Sequence, residues 1–291
     1  MDNRSEIREF LATRRARISP HQAGLPAYGG NRRVPGLRRE EVAMLSGMSV
    51  DYYIRLERGN LAGVSESVLE ALSRALQLDE AEHAHLFDLA KAAGSSSRPR
   101  RKPLEQQVRP TVQRILDAMT DVPAYVRNGR RDILGTNKLG RALYSELYVD
   151  PVRPVNVARF VFLNPRAHDF FIDWDGAAHD LVAVLRTEAG RNPYDRALTD
   201  LVGELSMRSE EFRTRWAAHN VRYHRSGLKR IHHPVIGDIE LSFEAMDLPA
   251  DPGLSLIVYS AEHGSAAEES LGLLASWTAS EGEAEQKIVR S

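Results

Sequence analysis

Through the first ninety-odd positions, apolar residues recur every three or four places and polar ones fill the intervals. Ile7, Phe10 and Leu11 fall on one side of a charged helix predicted over 4–17. Residues 18–36 lose this period. They carry Pro20, Pro26, Pro35 and a Gly29-Gly30 pair, which predicts a loop longer than a compact domain usually keeps. Helices are then predicted at 38–46, 49–58, 65–77 and 79–93, with Val68, Leu69, Leu72, Leu76, Leu86 and Leu89 as the apolar stripe. Ser65 and Asp79 stand at N-cap positions, and Asp79 and Glu82 have capping-box spacing with Asp in place of the usual Ser or Thr. A five-helix bundle follows.

The pattern breaks from Gly94 to Pro103, where serine, proline and four basic residues occur without an apolar one, the composition of a linker. Beyond it the period mixes. Asn128-Gly129 stands between β-prone runs from Tyr125 to Leu134, a strong hairpin signal. Asn137 is placed to cap a helix through Tyr144. Phe170, Trp174, Ala177, Leu181 and Leu185 recur at helical intervals across 167–189, and a further helix presents Phe212, Trp216 and His219. Strands are predicted from Leu228 to His232, through the alternating Ile239, Leu241 and Phe243, and from Leu254 to Ala261. The last is a largely apolar run, as suits a central strand. This order predicts an antiparallel sheet covered by helices on one face. The fold class is therefore α+β: an all-α unit over 1–94, a basic linker over 95–108, a mixed domain over 109–280 and a polar tail over 281–291.

Residues 38–59 carry the most specific local signal. Ala43 supplies the small contact that lets two helices cross steeply, and Gly47 can take the left-handed conformation of a tight turn. Ser49 can cap the second helix, and Gly59 suits the left-handed position after its end. Met48, Tyr53 and Leu56 mark the buried face; Val50, Asp51 and Arg55 mark the other. This is the pattern of a helix-turn-helix that enters a DNA groove.

Composition sharpens the picture. The 291 residues, 42% hydrophobic, suffice for two domains with a substantial core. The absence of cysteine excludes disulfides, thiolate metal sites and a cysteine nucleophile. No apolar run is long enough for a signal peptide or a membrane span, so a cytoplasmic protein with no membrane partner is expected. The net charge of -1 hides an asymmetry: residues 1–103 hold 17 Lys and Arg against 13 Asp and Glu, giving +4, and the rest gives -5. Between Arg4 and Arg39 nine arginines meet two carboxylates, Glu6 and Glu9, the footprint expected of a phosphate-binding face.

Several pieces together carry a family resemblance: Val34 to Ala43, Ser49 to Tyr53, Asp173 to Asp175, Glu204 to Ser209, His233 to Gly237 and Tyr259 to Ser265. The first domain resembles the Xre family of helix-turn-helix regulators. The chain from Leu11 to Trp277 resembles the MmyB-like transcription regulators of actinobacteria. Met48 and His263 depart from the pattern, standing where a smaller aliphatic residue and a proline are usual. The resemblance implies a PAS-like second domain able to hold a fatty acid or similar apolar ligand, with no other cofactor. It also implies a structural ion pair between Arg14 or Arg15 and Glu57.

In helix-turn-helix docking the second helix lies in the major groove with its N-terminal half toward the bases. Val50 can pack on a thymine methyl and Arg55 can bond guanine bidentately. Asp51 has two readings: it accepts from cytosine, or it buttresses Arg55 one turn on. Arg38, Arg39, Ser49 and Tyr52 are candidates for phosphate contacts, as are Arg32 and Arg33 in the loop. A homodimer would place two such helices about one DNA turn (~34 Å) apart on an inverted repeat.

In the second domain, Phe160, Phe162, Phe170, Phe171, Trp174, Trp216, Tyr223 and Tyr259 are candidates for an apolar ligand pocket or simply for core. Arg159, Arg186 and His232 are candidates for holding a carboxylate head. His219, His224, His232 and His233 cluster in sequence, but the adjacent pair cannot both point inward from a strand, so no metal site is expected. No nucleophile elbow, Gly-rich phosphate loop or zinc-protease motif is present, and no enzymatic activity is expected. Two readings of the second domain stand: a sensor of an apolar small molecule, or a dimerisation scaffold without ligand.

Overall fold

Five helices form where the apolar period marks them: α1 (Asn3–Arg17), α2 (Arg39–Leu45), α3 (Val50–Glu57), α4 (Glu66–Ala75) and α5 (Glu80–Gly94). The computed structural model describes residues 3–26, 34, 36–94, 106–223 and 225–289, and for 279–289 the backbone alone. Ile7, Phe10, Leu11, Val42, Tyr53, Leu56, Leu72 and Leu86 are fully buried and form the core of the bundle. Ala43 is buried at the turn between α2 and α3, and its carbonyl accepts the Met48 amide at 3.0 Å. Gly47 takes φ +67° there, as the tight turn demands. Ser49 caps α3 by accepting the Tyr52 amide at 3.2 Å, and Asp79 and Glu82 close their reciprocal capping box at 2.9 and 3.1 Å. Ser65 differs from expectation: its hydroxyl makes no cap bond and faces that of Ser67 at 3.0 Å.

The remaining elements follow in chain order. They are α6 (Pro110–Ala118), β1 (Ala124–Asn128), β2 (Asp132–Thr136), α7 (Lys138–Leu143), α8 (Ser145–Tyr148), β3 (Val155–Asn156), α9 (Val157–Leu163) and α10 (Ala167–Phe170). Next come α11 (Trp174–Arg191), α12 (Arg196–Arg208), α13 (Glu210–Trp216), β4 (Ser226–His233), β5 (Gly237–Asp247), β6 (Leu254–Ser260) and α14 (Ala266–Val289). The six strands make one antiparallel sheet in the order β3-β2-β1-β6-β5-β4. The apolar β6 lies inside it between β1 and β5, as its composition predicts.

Three local expectations change. The β1–β2 hairpin closes over Gly129 to Arg131, and the left-handed residue is Arg131 (φ +71°) rather than the glycine. The 167–189 helix is two helices, because Phe171 leaves the helical path to bridge Ile231 of β4. Helices cover both faces of the sheet, not one. On one face α6 sets Val112 and Leu116 against Ala124, Val126, Leu254 and Leu256. On the other, Tyr125, Tyr259, Phe243 and Lys229 share one face of the sheet and meet Tyr144 and Phe171.

The chain divides into two compact units. The first comprises Met1–Lys102, Val182–Val202 and Arg213–Tyr223, and the second comprises Pro103–Leu181, Gly203–Phe212 and His224–Ser291. The helical bundle thus packs together with segments that lie far beyond the basic linker in sequence.

Candidate functional site

The caps and core of α3 decide which of its side chains can reach a partner. Tyr53, Leu56 and Glu57 are buried, which turns Val50, Asp51, Arg55 and Arg58 outward, with Ile54 half-buried beside them. Residues 51, 55 and 58 fall on one stripe of a 3.6-residue helix. The same spacing places Ile54 and Arg58 beside them, two residues outside the sequence candidates. Among the described residues Asp51 forms no ion pair with Arg55; the Arg55 guanidinium instead lies 5.0 Å from the Tyr52 ring. Arg55 also borders an open cleft of about 630 Å³ with Asn3, Arg4 and Asn60.

Backbone candidates divide. Arg38 is exposed at the start of α2, its amide held by the Glu41 carboxylate at 2.6 Å. The Arg39 side chain is half-exposed but pairs with Glu57. Arg15 pairs with the other oxygen of Glu57 at 2.6 Å, and Tyr53 donates to it at 3.3 Å. Burial, and then the Glu57 carboxylate, push the Tyr53 hydroxyl well above the ordinary phenol range, so it stays a donor. Of the two arginines expected for Glu57, Arg15 takes it. Arg14 turns to Glu82 at 3.0 Å, where Arg17 adds a bidentate pair at 2.7 and 2.9 Å. Arg32 and Arg33 lie outside the described residues.

A second buried network in the first unit was not legible in the sequence. Arg186 is fully buried, pairs with Glu6, stacks 4.0 Å over Trp216 and donates to the Trp216 carbonyl. His219 stands against Glu6 at 3.3 Å and Glu9 at 2.8 Å. Burial raises the Glu6 pKa, but the imidazoles of His219 and His85 and the Arg186 guanidinium outweigh it and hold it far below the usual carboxylate range. Arg186 and Trp216 therefore serve this network, and Tyr223 stacks with Arg191 in the same unit.

The second unit gathers the other aromatic candidates. Phe160, Phe170 and Phe171 lie 5.0–6.2 Å apart, and Phe162 meets Trp174 and Phe212. Tyr259 joins Tyr144 and Tyr125, its hydroxyl 2.6 and 3.4 Å from theirs. Burial pushes both the Tyr144 and Tyr259 hydroxyls far up, so they remain protonated. The expected head-group candidates are not brought together. Arg159 pairs with Glu204 at 2.9 Å, and His232 is exposed and bonded to Asp238 at 2.5 Å. His233 is buried and turned the opposite way, against the Ala142 carbonyl at 3.0 Å. His224 lies outside the described residues. Beside the aromatic cluster stand two cations that the periodicity gave no reason to choose, Arg127 on β1 and Lys229 on β4. Burial lowers the Lys229 pKa to about 8, with Arg127 and Arg131 pushing the same way against Asp180 and Asp173.

Comparison with known families assigns both regions. Residues 108–274 match the family model of the MmyB-like transcription regulator ligand binding domain, and residues 6–86 match that of a helix-turn-helix domain. No curated protein matches the chain.

Proposed function

Because this chain belongs to the MmyB-like transcription regulators, DNA-binding proteins with a ligand-binding domain, we propose that it is a sequence-specific regulator whose second domain senses a fatty-acid-like molecule. The observation that carries the DNA half is the capped α3, with one face packed into the bundle and the other turned out. On this reading Val50, Asp51 and Arg55 read bases, joined by Ile54 and Arg58 on the same stripe. Arg38, Arg39, Ser49 and Tyr52 hold phosphates, with Arg32 and Arg33 assigned to the same role. Asp51 acts as a base contact, since Arg55 rests on Tyr52 and takes no support from it. The protein acts in the cytoplasm as a homodimer on an inverted repeat, its half-sites about one DNA turn (~34 Å) apart.

Selection of duplexes from a random pool tests this. A palindromic consensus supports it, and unselective, salt-sensitive coating of DNA defeats it. Aromatic rings 5.0–6.2 Å apart favour a second reading, in which the second domain is only a packed dimerisation scaffold. Mass spectrometry of organic extracts of the untreated protein separates the two: a stoichiometric lipid supports the sensor, and none in repeated preparations supports the scaffold.

A further inference from the structure

We propose that the cleft at the end of α3 receives the DNA backbone, with Arg4 and Tyr194 as phosphate contacts at the rim of the groove that α3 enters. The proposal rests on the DNA-binding reading above and adds a contact surface to it.

The cleft, about 630 Å³, lies wholly within the first unit. Gly59 follows α3 with φ +91°, and a Cβ there would collide with the Arg4 carbonyl, so only glycine lets the first turn of α1 come this close. That approach brings the Arg4 Nε to the Arg58 carbonyl at 3.2 Å and puts Arg4 and Arg55, both exposed, on the cleft wall. Gly190 of α11 is likewise seated on the His85 ring of α5, where a Cβ would collide, and Arg191 pairs with Asp88 at 3.5 Å. The end of α11 is thereby held against α5, and the turn that follows carries Tyr194, 68% exposed, to the cleft.

Its chemistry is that of an anion site. Arg4 and Arg55 bring two guanidinium groups, Asn3 and Asn60 two amides and Tyr194 a hydroxyl, and among the described residues no carboxylate lines it. Gly59, Ala62, Ala92 and Ala93 complete the surface and are small enough for a strand to approach closely. The volume exceeds that of a lone phosphate and suits a stretch of sugar-phosphate backbone.

Position selects DNA as the occupant. Arg55 belongs both to the cleft and to the outward stripe of α3. Gly59 stands eight residues past Asp51, about 12 Å along a helix axis, and the major groove is about 12 Å wide. With the N-terminal half of α3 at the bases, its other end therefore reaches the rim, where the phosphates run. Tyr194 falls inside the region matched to the ligand-binding domain, so on this account that region supplies part of the DNA face.

Titration of the full-length protein with its selected operator tests this. R4Q is expected to weaken binding about ten-fold and to lower the slope of log affinity against log salt by about one, with the consensus unchanged. Y194F should weaken binding about three-fold at unchanged slope, because a hydrogen bond is lost but no charge. A methylphosphonate at the contacted phosphate should reproduce the R4Q loss in wild type and add nothing in R4Q. Melting temperatures are read alongside. Should R4Q melt early, Y194F, whose ring is exposed, carries the comparison. Wild-type affinity in either variant, or methylphosphonate losses equal in wild type and R4Q at every flanking position, overturns the proposal, and α3 remains the reader if Arg55→Ala relaxes the consensus. Tight binding of AMP to the DNA-free protein that R4Q abolishes overturns it in favour of a free nucleotide. A wild type that selects no consensus overturns the regulator reading and this proposal together.

Discussion

Glu57 accepts from Arg15, Arg39 and Tyr53 at once, and its side chain is 3% exposed. Removing a buried partner of this kind leaves arginines without their counter-charge, which costs about 3 kcal/mol. Glu57→Gln should therefore lower the melting temperature while operator affinity, measured well below melting, stays within two-fold. A large affinity loss at unchanged melting temperature would refute this structural role. Arg55 behaves oppositely. It is exposed and rests on an aromatic ring, so Arg55→Ala should leave stability intact. Binding to the selected operator should weaken by about 1–3 kcal/mol, with specificity relaxed at one base position. An unchanged consensus for Arg55→Ala would exclude it as a reader. Both roles were partly legible. Helical spacing puts 55 outside and 57 inside, but that Arg39, and not Arg14, completes the Glu57 network depends on where α1 and α2 lie in space.

At the scale of elements, α1 is fixed by charge as well as by its apolar stripe. Glu6 meets Arg186 of α11 and His219, neither of which its local sequence predicts. Its pKa is depressed in the fold, so the ionised form is favoured there more than in the unfolded chain. The resulting stability is fully present above the ordinary carboxylate value and is lost as pH falls below it toward the folded value. Wild type should therefore lose stability steeply below about pH 4.5, and Glu6→Gln should flatten that limb while costing about 3 kcal/mol at neutral pH. Parallel acid-unfolding curves for the two proteins would count against this account. Elements with strong local signals form where those signals lie: α3 and α5 with their caps, the alternating β5 and the largely apolar β6. The two-residue β3 and the short α8 and α10 carry too few residues for a period to show.

For the whole molecule, the net charge of -1 conceals a basic N-terminal region, so association with DNA should be strongly salt-dependent. If Arg38 holds a phosphate, Arg38→Gln should reduce the slope of log affinity against log salt by about one, uniformly across sequences. Val50→Ala should leave that slope unchanged and alter only base preference. Equal slopes for wild type and Arg38→Gln would remove Arg38 from the phosphate contacts.

The sequence alone was enough for whatever local physics controls: the turn at Gly47, the caps at Ser49, Asp79 and Asn137, the helical stripes of the bundle and the antiparallel strands. It also sufficed for the outward face of α3, because a 3.6-residue period assigns faces without knowing the partner. Only the tertiary structure decided that Arg186, Trp216 and His219 pack with the N-terminal helices, that Phe171 breaks a helix to reach β4, and that Arg127 and Lys229 share one sheet face. Each depends on pairing between distant positions, up to 213 residues apart for His219 and Glu6. No period, cap or turn encodes such pairing, and burial and charge resolve it only once the chain has folded.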